Sequence, residues 1–324
     1  MSFFSDLGDS NTLPGKIVFA VFFLAIFAFL GVVCFSSYIL YGILAPPHGT
    51  FASDATKVLG NPDEISFTVS GVGVRKGWFF PGLTTAPTIV LCHGYGSSRG
   101  ELLTMVTALQ EHRYNVFVFD FSGHGTSNKL STLGYRETKE LIAAINTLAR
   151  RDDIDRTRFG VWGANMGGYA AIAAASLDQR IHAIAVDSVY DDPKVFMQLH
   201  SESSSMGLPL VARLVRFGFH ALNFSSRNEP PLSAKVSRLA GVAKLFIIAT
   251  ENPVLAENTR QFFIGAPEPR QQFVVQKASY TTMLDDEKRQ YESQVVSFFL
   301  LNLPPTGAPA TPAAPAPPAK AKKK

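Results

Sequence analysis

Residues 159–169 read FGVWGANMGGY, and within them Gly163-Ala164-Asn165-Met166-Gly167 sets a polar centre between two flanking glycines. That spacing belongs to a sharp strand-to-helix turn, where glycine-sized neighbours let the backbone pass and the central side chain stands exposed. A serine at the centre could give its proton to a histidine and attack a carbonyl carbon. Asparagine cannot, because its carboxamide has no acidic proton near neutral pH and no lone pair of useful nucleophilicity. The turn has the shape of a nucleophile elbow without the nucleophile. Gly-X-Asn-X-Gly alone is a weak signal, so the surrounding elements must decide.

The segment TIVLCHGYGSSRGE (88–101) is an apolar strand ending in His93-Gly94-Tyr95-Gly96, with a helix expected from near Ser98. YNVFVFDFSGHGTS (114–127) is a second buried strand that breaks into a Gly-rich turn. Helical periodicity covers 134–151, followed by the elbow strand and a helix from Met166 to about Leu177. Strands are then expected at IHAIAVDS (181–188), KLFIIAT (244–250) and FVVQK (273–277), with a short helix before the last of these and a closing helix over about 285–301. Continuous apolar strands separated by amphipathic helices predict an α/β domain with a mostly parallel sheet covered on both faces.

With HGYGSSRGE, DFSGHGTS and GANMGGYAA in this order, the chain resembles the α/β-hydrolase family, specifically its membrane-anchored serine hydrolase branch, over roughly residues 60–302. The resemblance implies a catalytic triad, and each of its positions carries a different residue here. The nucleophile position is Asn165. The acid position, in the turn Ala249-Thr250-Glu251-Asn252-Pro253-Val254, falls on Asn252, with Glu251, Asp285 and Asp286 nearby. The histidine position, in the turn from Ala278 to Leu284, falls on Tyr280. In this fold the base comes last along the chain. The seven histidines are His48, His93, His112, His124, His182, His200 and His220, so none lies in the last 104 residues. No shift of register supplies a base from a stretch without one, and a carboxylate with no histidine to orient has no triad role. The resemblance also implies an oxyanion hole built from the backbone N–H groups of Tyr95 and Met166, which need no particular side chain. Two readings of that hole stand: a pocket that still holds a small carbonyl or carboxylate ligand, or glycines and a loop kept because the fold cannot turn otherwise. His93 and His124 are expected to be structural rather than catalytic, with His93 the one to check against Asn165.

At 324 residues the chain has room for one large domain and appendages. The two cysteines, Cys34 in an apolar run and Cys92 at a buried strand end, suit no intrachain disulfide. There is no His/Cys/Asp spacing for a metal, and no GxGxxG or P-loop signature, so neither metal nor cofactor is expected. The net charge of +4 is matched by Lys320, Lys322, Lys323 and Lys324, which leaves a neutral body and argues against nucleic-acid binding.

Ile17 to Leu44 is 28 residues without a charge. As a helix it would run about 42 Å, more than a bilayer core of roughly 30 Å requires. A transmembrane helix over 17–44 is therefore expected, after an N-terminal segment (1–16) and before a linker (45–59). Lys16 and the amino terminus weighed against Lys57 tip the expected orientation toward an extracytoplasmic domain. The Pro/Ala/Lys tail (303–324) is too poor in core-forming residues to fold, and its lysines suit either an anionic surface or solvation alone. The insertion at about 189–240 sits where the family carries a cap. In it, Arg213, Arg216 and His220 share one helical face, and Val211, Leu214, Val215 and Leu222 lie largely on the other. A lid over the pocket and a basic amphipathic helix resting on the membrane are both consistent with this pattern. The function expected is a membrane-tethered pseudoenzyme that binds a ligand or a protein partner. The alternative is an esterase, lipase or peptidase with a non-standard site.

Overall fold

The computed structural model describes residues 13–47, 62–125, 127, 129–277 and 279–305. The segment before residue 13, most of the expected linker including Lys57, and the tail from 306 with its four lysines lie outside the described residues.

A helix α1 (Leu13–Leu44) opens the described chain. A hairpin follows, β1 (Asp63–Val69) and β2 (Gly73–Phe80), then β3 (Thr88–Cys92). A short 3₁₀ turn at Arg99–Leu102 leads into α2 (Leu103–Glu111), so the helix expected from Ser98 begins with a tighter turn. Next come β4 (Asn115–Phe119), α3 (Tyr135–Leu148), β5 (Phe159–Ala164), α4 (Met166–Ala175) and β6 (Ile181–Asp187). The cap region holds α5 (Pro193–Ser204), α6 (Pro209–Leu222) and the short α7 (Leu232–Val236). The chain closes with β7 (Ala243–Ala249), α8 (Pro253–Gly265), β8 (Arg270–Val275) and α9 (Asp285–Asn302).

Among the described residues, eight strands form one sheet in the order β1-β2-β4-β3-β5-β6-β7-β8. The β1/β2 and β2/β4 pairs are antiparallel, and the remaining neighbours are parallel. The central strands β3, β4, β5 and β7 are buried at every position, as apolar runs covered on both faces must be. Two apolar layers result. One packs α3 and α4 against the sheet, and the other packs α2 and α9 against its opposite face. The hairpin's polar positions alternate with buried Phe67 and Val69, the pattern of strands at a sheet edge.

In α1, Lys16 to Gly31 is exposed on every face, whereas Ile39, Ile43 and Leu44 enter the domain core. By length and hydropathy this helix could cross a membrane, a description that a signal sequence also meets. The stretch expected as an anchor thus ends inside the domain that begins, by sequence, at residue 60. In α6 the buried positions are Val211, Ala212, Val215 and Phe219. Leu222, expected on the inner face with Val211, is instead exposed, because it lies at the last turn where the helix leaves the core.

Candidate functional site

Asn165 stands between β5 and α4 at φ 47°, ψ −110°, a left-handed conformation rare for a residue with a side chain. Its neighbours explain how the chain reaches it. A Cβ on Gly163 would collide with the carbonyl of Gly167, and one on Gly167 with the carbonyl of Cys92 at the end of β3. The turn therefore closes only over glycine at both places. The backbone N–H of Asn165 donates to the carbonyl of Asp187 (2.9 Å), and its side-chain Nδ2 donates to the carbonyl of Ser188 (3.1 Å). The carboxamide oxygen faces the loop after β3, 3.0 Å from where a Cβ on Gly94 would stand.

That loop is held by its two histidines. Phe121 donates its N–H to His93 Nε2 (3.0 Å), so the ring proton sits on Nδ1 and is donated to the carbonyl of Gly94 (2.9 Å). Gly96 donates to His124 Nε2 (3.0 Å), and His124 Nδ1 gives its proton to the carbonyl of Ser122 (3.1 Å). Both rings thus tie the loop carrying Tyr95 to the loop after β4. The Tyr95 hydroxyl donates to the carbonyl of Ile43 in α1 (2.9 Å), and burial pushes its phenol up to about 12. Its ring packs edge-on against Phe196 and His200 of α5. Met166, whose N–H would complete an oxyanion hole with that of Tyr95, opens α4 and is fully buried.

Asn165, Tyr95 and Tyr280 line one cavity of about 20 Å³, together with Gly94, Trp162 and Ala164. Tyr280 sits in a 3₁₀ turn between β8 and α9, packed on the Trp162 and Tyr291 rings. Its hydroxyl donates to Glu292 Oε1, so the Thr104 hydroxyl donates to it in turn (2.7 Å). Burial first, and Glu292 second, hold this phenol protonated well beyond its ordinary range. It cannot serve as a base. Asn252 is not among the residues lining the cavity. It caps α8 through its Oδ1, which accepts the N–H of Leu255 (3.2 Å), while Glu251 pairs at the surface with Lys277 (3.2 Å).

A family model of the alpha/beta hydrolase fold matches residues 87–291. The chain belongs to the α/β-hydrolase fold family. It is 32% identical over 114 residues to an uncharacterized 31.7 kDa protein of the traX–finO intergenic region of Escherichia coli, covering 34% of this chain and 40% of that protein. It is 22% identical over 253 residues to the uncharacterized protein YfhR of Escherichia coli O157:H7, covering 75% of this chain and 82% of that one. Among solved structures, the Pyrococcus furiosus esterase Pf2001 superposes with a TM-score of 0.63 at 19% identity, over 78% of this chain and 97% of the esterase. The α/β hydrolase GrgF of Penicillium sp. superposes with a TM-score of 0.58 at 15% identity, over 74% and 98%. At these identities the superpositions establish the shared fold.

Within the α/β-hydrolase fold, one group beside the elbow was not singled out from sequence. Asp187, at the end of β6, is fully buried and accepts from the Ser188 hydroxyl (2.7 Å) and the Tyr291 hydroxyl (2.8 Å). Trp162 Nε1 donates to the same Tyr291 oxygen (3.1 Å). Burial pushes the carboxyl up to about 7, partly offset by the Ser188 and Tyr291 bonds. The sequence signal was an acid ending the apolar run AIAV of β6. Among the described residues, no three His, Cys, Asp or Glu side chains gather closely enough to hold a metal.

Proposed function

We propose that this protein is a membrane-anchored α/β-hydrolase-fold pseudoenzyme, a binding or scaffolding module without hydrolytic activity. Tyr280 carries the reading. It occupies the family's histidine position in the sequence, its hydroxyl is engaged by Thr104 and Glu292, and the cavity it shares with Asn165 is about 20 Å³. By the same measure one water needs roughly 10–15 Å³, so the cavity as it stands holds little more than a water. Asn165 offers no nucleophile, and His93 and His124 have both ring nitrogens bonded to backbone. A carbonyl or carboxylate ligand on the Tyr95 and Met166 N–H groups would find the same small cavity. A protein partner at the surface is the role this site supports better.

Anchoring is the other half of the proposal. The fully exposed apolar length of α1 suits a retained membrane helix, and Lys16 at its amino end favours a domain on the extracytoplasmic side. The test is fluorophosphonate labelling with ester hydrolysis on the full chain in detergent, beside an Asn165→Ala control. The expected result is no labelling and rates equal to the control. Even a site stripped of its triad retains only ~10³–10⁴-fold acceleration over water. Turnover above the control would return the esterase, lipase or peptidase reading.

A further inference from the structure

Where α1 leaves its fully exposed stretch, it meets the cap. Its residues from Val32 onward present one face to α5 and α6. The crossing with α6 is close because α6 has a glycine there: a Cβ on Gly218 would lie 2.7 Å from Leu40 Cδ2. This fixes the level of α6 along α1. Lys16 marks the charged end of the apolar run, and twenty residues from Ile17, which span a hydrocarbon core of roughly 30 Å, end near Ser36. Leu40 lies a further four residues along, about 6 Å at the helical rise. The headgroup layer on each side of a bilayer is roughly 5–8 Å thick. The crossing point, where Gly218 of α6 meets Leu40 of α1, falls within that layer.

The outward side of α6 has the chemistry for such a position. Leu210 and Phe217 are exposed on one face of the helix, Phe224 is exposed just beyond it, and Phe217 shows 71% of its surface. Large apolar side chains exposed together along one helix face mark a surface suited to more than water. Basic groups are interleaved with it. Arg213 and His220 share the exposed face with Phe217, and the Arg227 guanidinium lies 4.2 Å over the Phe224 ring. The nearby acids have partners of their own: Glu202 faces Arg216 (3.7 Å) and Glu229 faces Lys235 (3.2 Å). Apolar anchors with basic flanks, seated beside a lipid-embedded helix, fit an anionic bilayer surface.

We propose that α6 is a second membrane contact, lying in the headgroup layer of an anionic bilayer beside the point where α1 emerges. The inference rests on the anchoring of α1, and the experiment separates the two. The full chain carrying Cys34→Ala is reconstituted in nanodiscs, with an environment-sensitive fluorophore on Leu24→Cys in α1, Phe217→Cys in α6, or Leu177→Cys at the far end of α4. Quenching is read with aqueous iodide and with a lipid-borne nitroxide. In phosphatidylcholine/phosphatidylglycerol discs, the labels at 24 and 217 should lose most iodide quenching and gain nitroxide quenching, and the label at 177 should do neither. In phosphatidylcholine alone, or with Arg213→Gln and Arg227→Gln together, protection at 217 should fall while protection at 24 stays. A label at 24 that remains open to iodide would defeat the anchoring itself. Protection at 24 with iodide access at 217 would overturn the second contact alone. Protection at 217 without nitroxide quenching would overturn it in favour of a protein occupant. Equal protection at 217 in neutral and anionic discs would remove the anionic requirement.

Discussion

Asn165 keeps a backbone conformation that normally persists only where function or surrounding structure enforces it. Here the enforcing contacts are visible: glycines at 163 and 167, and two bonds to the end of β6. Replacing it with serine restores a hydroxyl but no base, so Asn165→Ser should show no ester turnover above Asn165→Ala. Adding Asn252→Asp and Tyr280→His completes the family's residue types. It does not restore their geometry, because position 252 faces the α8 backbone and loss of the phenol strands Thr104 and Glu292. The triple variant should fold yet hydrolyse activated esters feebly at best, and vigorous hydrolysis would show that only the reactive groups had been lost. Asp187 makes a separate prediction. A folded carboxyl titrating at about 7 instead of the ordinary 3.8 holds its proton in the fold after the unfolded chain has released it. Stability should therefore fall as pH rises from about 4 to about 7 and level off above, by at most about 4 kcal/mol at roughly 1.4 kcal/mol per unit. Asp187→Asn, which mimics the neutral form, should flatten that slope in urea titrations; an unchanged slope would place the titration elsewhere. The Gly-X-Asn-X-Gly spacing made Asn165 legible from sequence. Asp187 was not legible, because its partner Tyr291 lies far along the chain and only the folded sheet unites them.

At the scale of elements, the apolar runs at β3, β4 and β5 were readable because a strand buried on both faces has no polar residue to disguise it. The β1/β2 hairpin was not, since DEISFTV and GVRKGWFF mix charge with apolar residues as half-exposed edge strands do. β8 begins at Arg270 rather than Phe273, and its first residues are polar because they lie at the other edge. The glycines, by contrast, carry a structural meaning that does not depend on the residue at the centre of the turn. Gly167→Ala sets a methyl against the β3 backbone, which cannot yield without moving the sheet. It should destabilise by about 3 kcal/mol or prevent folding. Gly96→Ala meets open space and bears only the strain of φ 71°, about 1–2 kcal/mol. Thermal melts of the two variants check the ordering, and equal losses would mean that the elbow tolerates more bulk than its geometry allows.

For the whole molecule, α1 is an exposed apolar helix at one end and part of the domain core at the other. An all-apolar helix shows no hydrophobic face in sequence, so nothing in residues 17–44 marked where the exposed length gives way to packing against the domain. The structure draws that line near Gly31. Beyond it Ile39, Ile43 and Leu44 join the cluster that includes Phe121, Met166 and Phe196, and the Ile43 carbonyl holds the Tyr95 hydroxyl. The end of α1 therefore packs into the core and touches the loop after β3 at Tyr95. Removing apolar volume should then have opposite consequences at the two ends of one helix. Ile43→Ala empties a fully packed site and should cost about 2–4 kcal/mol of domain stability. Leu24→Ala, exposed on the free length of the helix, should leave the domain within about 0.5 kcal/mol of the parent. Tryptophan fluorescence follows the domain alone, because Trp78 and Trp162 both lie in the sheet. Denaturant titration of the full chain in detergent thus reads the contrast directly. If Ile43→Ala and Leu24→Ala melted alike, α1 would be a tether that merely lies beside the domain, and Tyr95 would owe its position to the cap and the two histidines alone.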